Sequence, residues 1–315
     1  MNISIVLCTY NRAESLRRTL CSLSAMRVPA NFQWEVLVVD NNSSDHTRDV
    51  TEVAGGQLPC RYLFEGRQGK SFALNTAIPQ ARGEIVAFTD DDVTMDQYWL
   101  TALWRAFTQL DCAGVGGCIR PVWSCFKPPW YSDSEPYRIM AGVVVDYDLG
   151  NVSQEISKPP FGANMAFRKD VFKKYGVFRT DLGPTGRRLM RGEDTEFCQR
   201  ILDSGENIVY VPDAIVYHPV DEKRLQKRYF QSWYYEYGRM IVRRDPPVTE
   251  TVRWFGVPRY MLRELAGAAL AWVTAFEPNK RFFHKLECCQ RFGQIAELCR
   301  GYQPTGHRDA SPSRR

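Results

Sequence analysis

The chain has 315 residues, 44% hydrophobic and 24% charged, proportions that exclude wholesale disorder and allow one large or two modest domains. Its formal net charge of +5 is too small to mark a nucleic-acid binder, but it suits an anionic small molecule or an anionic membrane surface. Ten cysteines without a CxxC pair argue against a thiolate metal site, and their apolar settings read as reduced thiols in a cytoplasm.

Met1 runs straight into an apolar segment without a basic n-region or a cleavage site, so no signal peptide is expected. Ile3 to Cys8 is a β-branched apolar run, hence a strand, ending at Thr9-Tyr10-Asn11. Ala13, Leu16, Leu20 and Leu23 then recur at helical spacing, with Asn11 as the expected N-cap and Glu14 three residues on. Trp34 to Val39 is a second strand, stopped by Asp40, and Asn42 to Asp45 is a turn that caps the next short helix. Arg61 to Phe64 is a third strand, Ser71 to Ile78 a helix, and Glu84 to Thr89 a fourth strand running into Asp90-Asp91-Asp92.

This alternation predicts an α/β fold, a mostly parallel sheet with helices on both faces. Right-handed crossovers bring the carboxyl ends of the strands to one edge, where such sheets bind ligands. Thr9, Asp40 and the three aspartates all lie at expected carboxyl ends. Further on, Gly114 to Pro121, Phe161 to Phe167 and Ile208 to Val211 read as strands, with helices from Lys169 to Tyr175 and from Glu193 to Ser204.

Beyond His218 the composition changes. Residues 223–244 hold seven Lys or Arg interleaved with Leu225, Tyr229, Phe230, Trp233, Tyr237, Met240 and Ile241, a basic amphipathic helix. Two readings stay open for it: an interfacial helix on anionic lipid, or a helix packing its aromatic face and leaving its basic face to solvent. Two more helices follow at roughly 255–276 and 280–300, then a tail without apolar periodicity. The uncharged run Leu265 to Phe276 is 12 residues long, well short of the roughly 20 that a spanning helix needs.

Asp90-Asp91-Asp92 is the sharpest chemical feature. Adjacent carboxylates repel unless a cation joins them, and magnesium is commonly held by one or two carboxylates together with substrate phosphates. An acidic turn capping the helix that follows is the plainer alternative. Asp40 can accept a hydrogen bond from a base or ribose, or cap a helix. Gly69-Lys70-Ser71 lacks the upstream glycine of a P-loop, yet Lys70 at a helix start can meet a phosphate. Glu193 and Asp194 open a helix, where the dipole favours acids, and either carboxylate can serve as a general base. His218 is a lone histidine between a strand and Pro219, either a structural group or a metal ligand.

Taken together, Val6-Leu-Cys-Thr-Tyr-Asn-Arg12, Val38 to Asp45, Lys70 to Asn75, Phe88 to Asp92, Gly192-Glu-Asp194, Tyr210 to Ala214 and His218-Pro219 resemble the family 2 glycosyltransferases. The resemblance runs from Ile3 to about Pro219. It implies the inverting chemistry and GT-A fold of that family, with a Rossmann-like sheet and a C-terminal helical extension here. On that basis residues 1–220 form the catalytic domain, with a donor half to about residue 120 and an acceptor half after it. Residues 221–300 form the extension, and 301–315 a disordered tail.

The resemblance also implies roles. Thr9, Tyr10 and Arg12 would line the nucleoside and diphosphate pocket, Asp40 would read the base, and Lys70, Asn75 and Asp91 would lie on the donor side. Asp90 and Asp92 would form the DxD pair, one towards the ribose and one on a Mg²⁺ or Mn²⁺, with His218 a further metal or diphosphate contact. Because the cluster reads Asp90-Asp91-Asp92-Val93 where many members have a spacer and then two aspartates, Asp91 is an alternative ligand. Asp194, with Glu193 beside it, would activate the acceptor, and Gly162, Ala163 and Asn164 would form the acceptor-side loop. Arg187, Arg188 or Arg191 would offset charge on the leaving diphosphate.

The implied partners are a nucleotide-diphosphate sugar and a carbohydrate or lipid-linked acceptor in polysaccharide or glycolipid synthesis. The implied location is cytoplasmic or peripheral on the cytoplasmic membrane face. A nucleotidyltransferase is the competing enzyme, although no glycine-rich phosphate loop follows the first strand. A non-catalytic nucleotide-sugar-binding protein is the competing non-enzyme.

Overall fold

The computed structural model describes residues 1–186, 190–247 and 252–301. In chain order its elements are β1 (Ile3–Thr9), α1 (Ala13–Ser24), β2 (Trp34–Asp40), α2 (Thr47–Ala54), β3 (Cys60–Phe64), α3 (Lys70–Gln80), β4 (Ile85–Asp90), β5 (Thr94–Met95), α4 (Trp99–Gln109), β6 (Gly114–Trp123), β7 (Gln154–Glu155), β8 (Asn164–Arg168), α5 (Asp170–Tyr175), α6 (Glu193–Asp203) and β9 (Ile208–Val220). They are followed by α7 (Lys227–Arg244), β10 (Arg253–Trp254), β11 (Val257–Pro258), α8 (Arg259–Thr274) and α9 (Pro278–Cys299).

The chain divides into two compact units. The first comprises Met1–Phe126, Met140–Arg188 and Gly192–Arg224; the second comprises Lys127–Ile139, Leu189–Arg191 and the chain from Leu225 onward.

The first unit is built on a nine-stranded sheet of order β3-β2-β1-β4-β8-β6-β9-β5, with β7 beside β9. Strands β3, β2, β1 and β4 are mutually parallel, as the alternation of strands and helices predicts. β8 enters antiparallel between β4 and β6, and β6 again runs parallel to β9. Two successive antiparallel pairings restore direction. The carboxyl ends of β1, β2, β4 and β9 therefore share one edge with the amino end of β8. Register levels them, with Thr9 opposite Asp40 and Cys8 opposite Asp90.

The apolar runs form strands because both faces of the sheet are covered. Ile3, Ile5, Val6, Leu7, Val36 through Val39 and Val86 through Phe88 are all essentially without exposure. Helix starts are capped across space, not by neighbours in sequence. Asn11 adopts φ 52 and is not the N-cap of α1, whose first N–H is met from the next loop, where Asp45 accepts from Ala13 N at 3.0 Å. The same carboxylate accepts from Thr47 N and Oγ1 at the start of α2. Asn11 Oδ1 accepts from Ser44 N at 2.7 Å, tying the two rim loops together.

In the second unit α7 buries Phe230, Trp233, Tyr234, Met240 and Val242, so its aromatic face is packed as in the second of the two readings. Trp130 meets Phe230 and Phe282 edge-on at 5.1 and 4.7 Å between ring centres. Helices α7 and α9 cross at glycine: a Cβ on Gly238 would overlap the Gln290 carbonyl, and one on Gly293 the Tyr235 carbonyl. Beside the crossing, buried Glu297 accepts from Arg239 Nε and Arg243 Nε at 2.6 Å each. Gly238→Ala should force the two backbones apart and cost about 1–3 kcal/mol, read as a lower urea midpoint at unchanged m-value.

Candidate active site

The edge where the strand ends meet carries a dense charge network. β4 ends in Asp90 and β9 delivers His218, opposite Pro121 of β6. Ligand atoms of Asp90, Asp92 and His218 lie within 4.8 Å of one another. His218 is 2% exposed. Its Nδ1 faces the Pro219 carbonyl at 3.1 Å, which directs Nε2 to Asp92 Oδ1 at 3.6 Å. Burial, opposed by Asp92 and reinforced by Arg224, lowers the imidazole pKa and favours the neutral ring that metals bind.

Two carboxylates and an imidazole whose second nitrogen is tethered make a donor set for a hard or borderline divalent cation such as Mg²⁺ or Mn²⁺. The residues present fit such an ion. Asp91, in contrast, lies outside this cluster. It is 4% exposed and bonded to Arg12 NH1 at 2.7 Å, and burial raises its pKa against that arginine.

Three basic side chains are bonded to these acids. Arg12 NH1 bridges Asp91 and Asp92, the latter at 3.1 Å. Arg224 NH2 reaches Asp92 Oδ2 at 2.5 Å, and its NH1 lies 3.5 Å from His218 Nε2. Lys70 Nζ donates to Asp90 Oδ1 at 2.6 Å and stands 3.7 Å from Glu193 Oε1. Burial would strip Lys70 of its charge, but Asp90, Glu193 and Asp194 together outweigh burial and raise its pKa.

The acid pair of α6 sits on the same edge. Gly192 adopts the left-handed conformation that turns the chain into α6. Glu193 points inward, 3% exposed, and burial with the adjacent Asp194 charge pushes its pKa up against Lys70. Asp194 is half-buried. It accepts from Gly162 N and Thr195 N, both at 2.7 Å. A Cβ on Gly162 would lie 3.1 Å from Asp194 Oδ2 and 3.5 Å from Lys70 Nζ. Glycine thus lets the loop before β8 approach both charges.

Other expected residues fall differently. Thr9 is buried and Tyr10 exposed at the rim. Both oxygens of Asp40 are engaged inside the protein, accepting from Ser43 N and Tyr62 Oη at 2.8 Å each. Asn75 is engaged within the protein: its amide exchanges two bonds with the Phe178 backbone, at 2.8 and 3.0 Å, pinning that segment to α3. Ala163 gives its carbonyl to Thr89 Oγ1.

Asn164 lies within the sheet and not in an open acceptor loop. It is fully buried, donates to Cys118 O and Ala214 O at 2.8 Å each, and accepts from Trp99 Nε1 at 2.8 Å. Those bonds serve the register shift between Gly117 and Cys118. Asn164→Ala should therefore lower stability by about 2–4 kcal/mol through unpaired buried groups. Donor affinity of the folded protein, measured by calorimetry, should stay unchanged.

Arg191 belongs to the second unit, where it bonds Tyr229 Oη at 3.2 Å and covers the Trp233 ring. Arg187 and Arg188 lie outside the described residues. The cation that sequence reading passed over is Arg224. Its signal was its place six residues after His218, at the head of a basic run that was read only as an amphipathic helix.

Asp90, Asp92 and His218 thus stand on the carboxyl edge of a Rossmann-like sheet, with Lys70 between Asp90 and the acid pair of α6. The profile described as Glycosyl transferase family 2 matches residues 4–176. The succinoglycan biosynthesis protein ExoM of Rhizobium meliloti is 30% identical over 249 residues, covering 76% of this chain and 75% of that protein. A glucosyl-dolichyl phosphate glucuronosyltransferase of Haloferax volcanii is 27% identical over 252 residues, covering 77% of each.

Among solved structures, the Pyrobaculum calidifontis mannosyltransferase PcManGT in complex with GDP-Man and Mn²⁺ superposes with TM-score 0.56. It shares 20% identity, over 96% of this chain and 76% of that one. S. aureus TarS 1–349 with UDP gives 0.52 at 16% identity, over 96% and 92%. These two likenesses concern the fold. The chain belongs to glycosyl transferase family 2 and is a glycosyltransferase of GT-A fold.

Proposed function

We propose that the protein transfers a sugar from a nucleoside diphosphate to an acceptor hydroxyl with inversion, in a reaction that depends on a divalent cation. The observation that carries this reading is the Lys70 bridge. One ammonium touches Asp90 of the metal-ready triad and approaches Glu193 of the acid pair, so both groups lie within reach of a single side chain on one rim.

Asp90, Asp92 and His218 would hold the cation, which would supply Lewis-acid neutralisation of the diphosphate. Arg12, Lys70 and Arg224 hold positive charge along the rim where the leaving diphosphate gathers negative charge. Asp194 serves as the base: it is more open than Glu193, and its Gly162 and Thr195 donors fix the carboxylate while leaving lone pairs for an incoming hydroxyl. Glu193, buried against Lys70, positions that lysine. A single displacement needs no enzyme nucleophile and inverts the anomeric centre.

For the acceptor we propose a lipid-linked saccharide hydroxyl in glycan assembly. Support comes from the names of the two curated relatives, one in succinoglycan biosynthesis and one acting on a glucosyl-dolichyl phosphate.

A thermal-shift panel of nucleotide sugars with and without Mn²⁺ tests the donor class, and proton NMR of the product tests the stereochemistry. Stabilisation should appear with a nucleotide sugar and Mn²⁺ together. A product that keeps the donor's anomeric configuration would refute the displacement.

A further inference from the structure

Exposed apolar side chains crowd one stretch of this protein. Of the 18 large hydrophobic side chains exposed among the described residues, eight fall between residues 252 and 292 of the second unit: Val252, Trp254, Phe255, Tyr260, Leu270, Val273, Phe276 and Phe292. Scattered exposed leucines are normal, but a cluster of this kind marks a surface that something covers.

The helix at its centre, α8, explains why it is unusual. Its inner side faces α9 with Met261, Leu265, Ala268 and Trp272 at helical spacing, all buried or half-buried. Its outer side begins with the exposed Arg259 and Arg263, but from Ala266 onward carries only Gly267, Leu270, Val273 and Thr274. Leu270 and Val273 are 63% and 64% exposed, and Phe276, just beyond the helix, is 94% exposed. A helix at a water surface normally turns charge outward. Here the last turns are apolar on both sides. Before α8, the β10–β11 turn holds Phe255 fully in solvent, beside the exposed Trp254.

Charge identifies the occupant. Residues 252–301 hold eight Lys or Arg against four Glu. Three of those glutamates already have partners within the unit, Glu297 with Arg239 and Arg243, Glu264 with Arg291 at 3.2 Å, and Glu287 with His284 at 2.7 Å. The exposed Arg253, Arg259 and Arg263 precede the apolar face, and the exposed Arg281 follows it. A second copy of this chain, laid on the face in either direction, would set cation against cation. Anionic headgroups complement both ends, while the acyl boundary takes the apolar residues between.

We propose that the outer face of α8, with the Trp254-Phe255 turn, docks on an anionic phospholipid surface, the helix lying in the plane of the interface. At about 1.5 Å per residue its 16 residues are too short to span a bilayer, and no described helix is long and apolar enough to cross one. This role moves the lipid contact from α7, whose aromatics are packed, to α8. It does not depend on the transfer reaction.

The test uses the full chain and sedimentation with vesicles of phosphatidylcholine alone or mixed with phosphatidylglycerol. Binding should appear with the anionic vesicles and weaken only in part at high salt, because the apolar contact survives screening. The triple variant Leu270→Glu, Val273→Glu, Phe276→Glu should bind at least about tenfold more weakly, with circular dichroism checking its fold. Phe255→Glu, in a turn outside any helix, should weaken binding without touching α8. Both variants should keep wild-type donor hydrolysis.

Failure of the wild type to sediment with anionic vesicles at low salt would overturn the proposal. So would equal binding by both variants. A wild type that ignores vesicles, yet is a dimer that the triple variant splits in light scattering, would assign the face to self-association instead.

Discussion

Asp194→Asn should bind the donor with nearly wild-type affinity and lose transfer by about 10²–10⁴-fold, the usual range for removing a general base. The amide keeps the shape but can accept from only one of Gly162 N and Thr195 N, which reach different oxygens of Asp194, and it cannot take the acceptor's proton. Only one of its two terminal atoms remains an acceptor, so a modest loss of stability is expected as well. Single-turnover transfer and calorimetric donor titration separate the two effects. Comparable turnover by this variant would remove the base assignment. Glu193→Gln makes the contrast, because Glu193 is buried against Lys70. It should disturb donor binding together with rate, since freeing Lys70 from one partner alters its hold on Asp90.

Asp92→Ala should abolish metal-dependent donor binding, weakening it about 100-fold or more in calorimetry with Mn²⁺. Three features make Asp92 the sharper choice over Asp91. Its Oδ1 faces His218 Nε2, it belongs to the triad within 4.8 Å, and Asp91 lies outside that triad, on the shorter of the two Arg12 contacts.

Arg224 adds a signed companion experiment. Its guanidinium lies on Asp92, so it would compete with a metal for that carboxylate and would attract the diphosphate beside a bound metal. Arg224→Ala should therefore tighten Mn²⁺ binding to the free protein and weaken binding of a nucleoside diphosphate with Mn²⁺. Movement of both affinities in the same direction would contradict that placement.

The residues that local chemistry governs were readable in advance. Apolar runs of β-branched residues ending in polar ones gave β1, β2 and β4, because a strand buried on both faces must be apolar until it leaves the sheet. Asp90, Asp92, Asp194 and His218 stand out by position at such ends or at helix starts, and Gly162 only through the family resemblance; all five lie on one edge. The misreadings share a cause. Asn75 and Asn164 sit near the site in sequence, yet each amide bonds backbone more than forty residues distant, and Asn164 also takes the Trp99 indole. A polar residue beside a motif does not announce whether it faces substrate or satisfies a buried carbonyl. The N-cap assignment to Asn11 failed likewise, since Asp45 reaches α1 from another loop.

Periodicity and strand-end chemistry therefore determined that this is an α/β chain with an acidic rim, because burial on both faces of a sheet is written into consecutive residues. Folding alone decided which cation meets which acid. Arg12 with Asp91, Arg224 with Asp92 and Lys70 between Asp90 and Glu193 join positions up to 132 residues apart. Such pairings follow from the register of β4, β8, β6 and β9, where one antiparallel strand turns the neighbours so that all their functional ends face the same way.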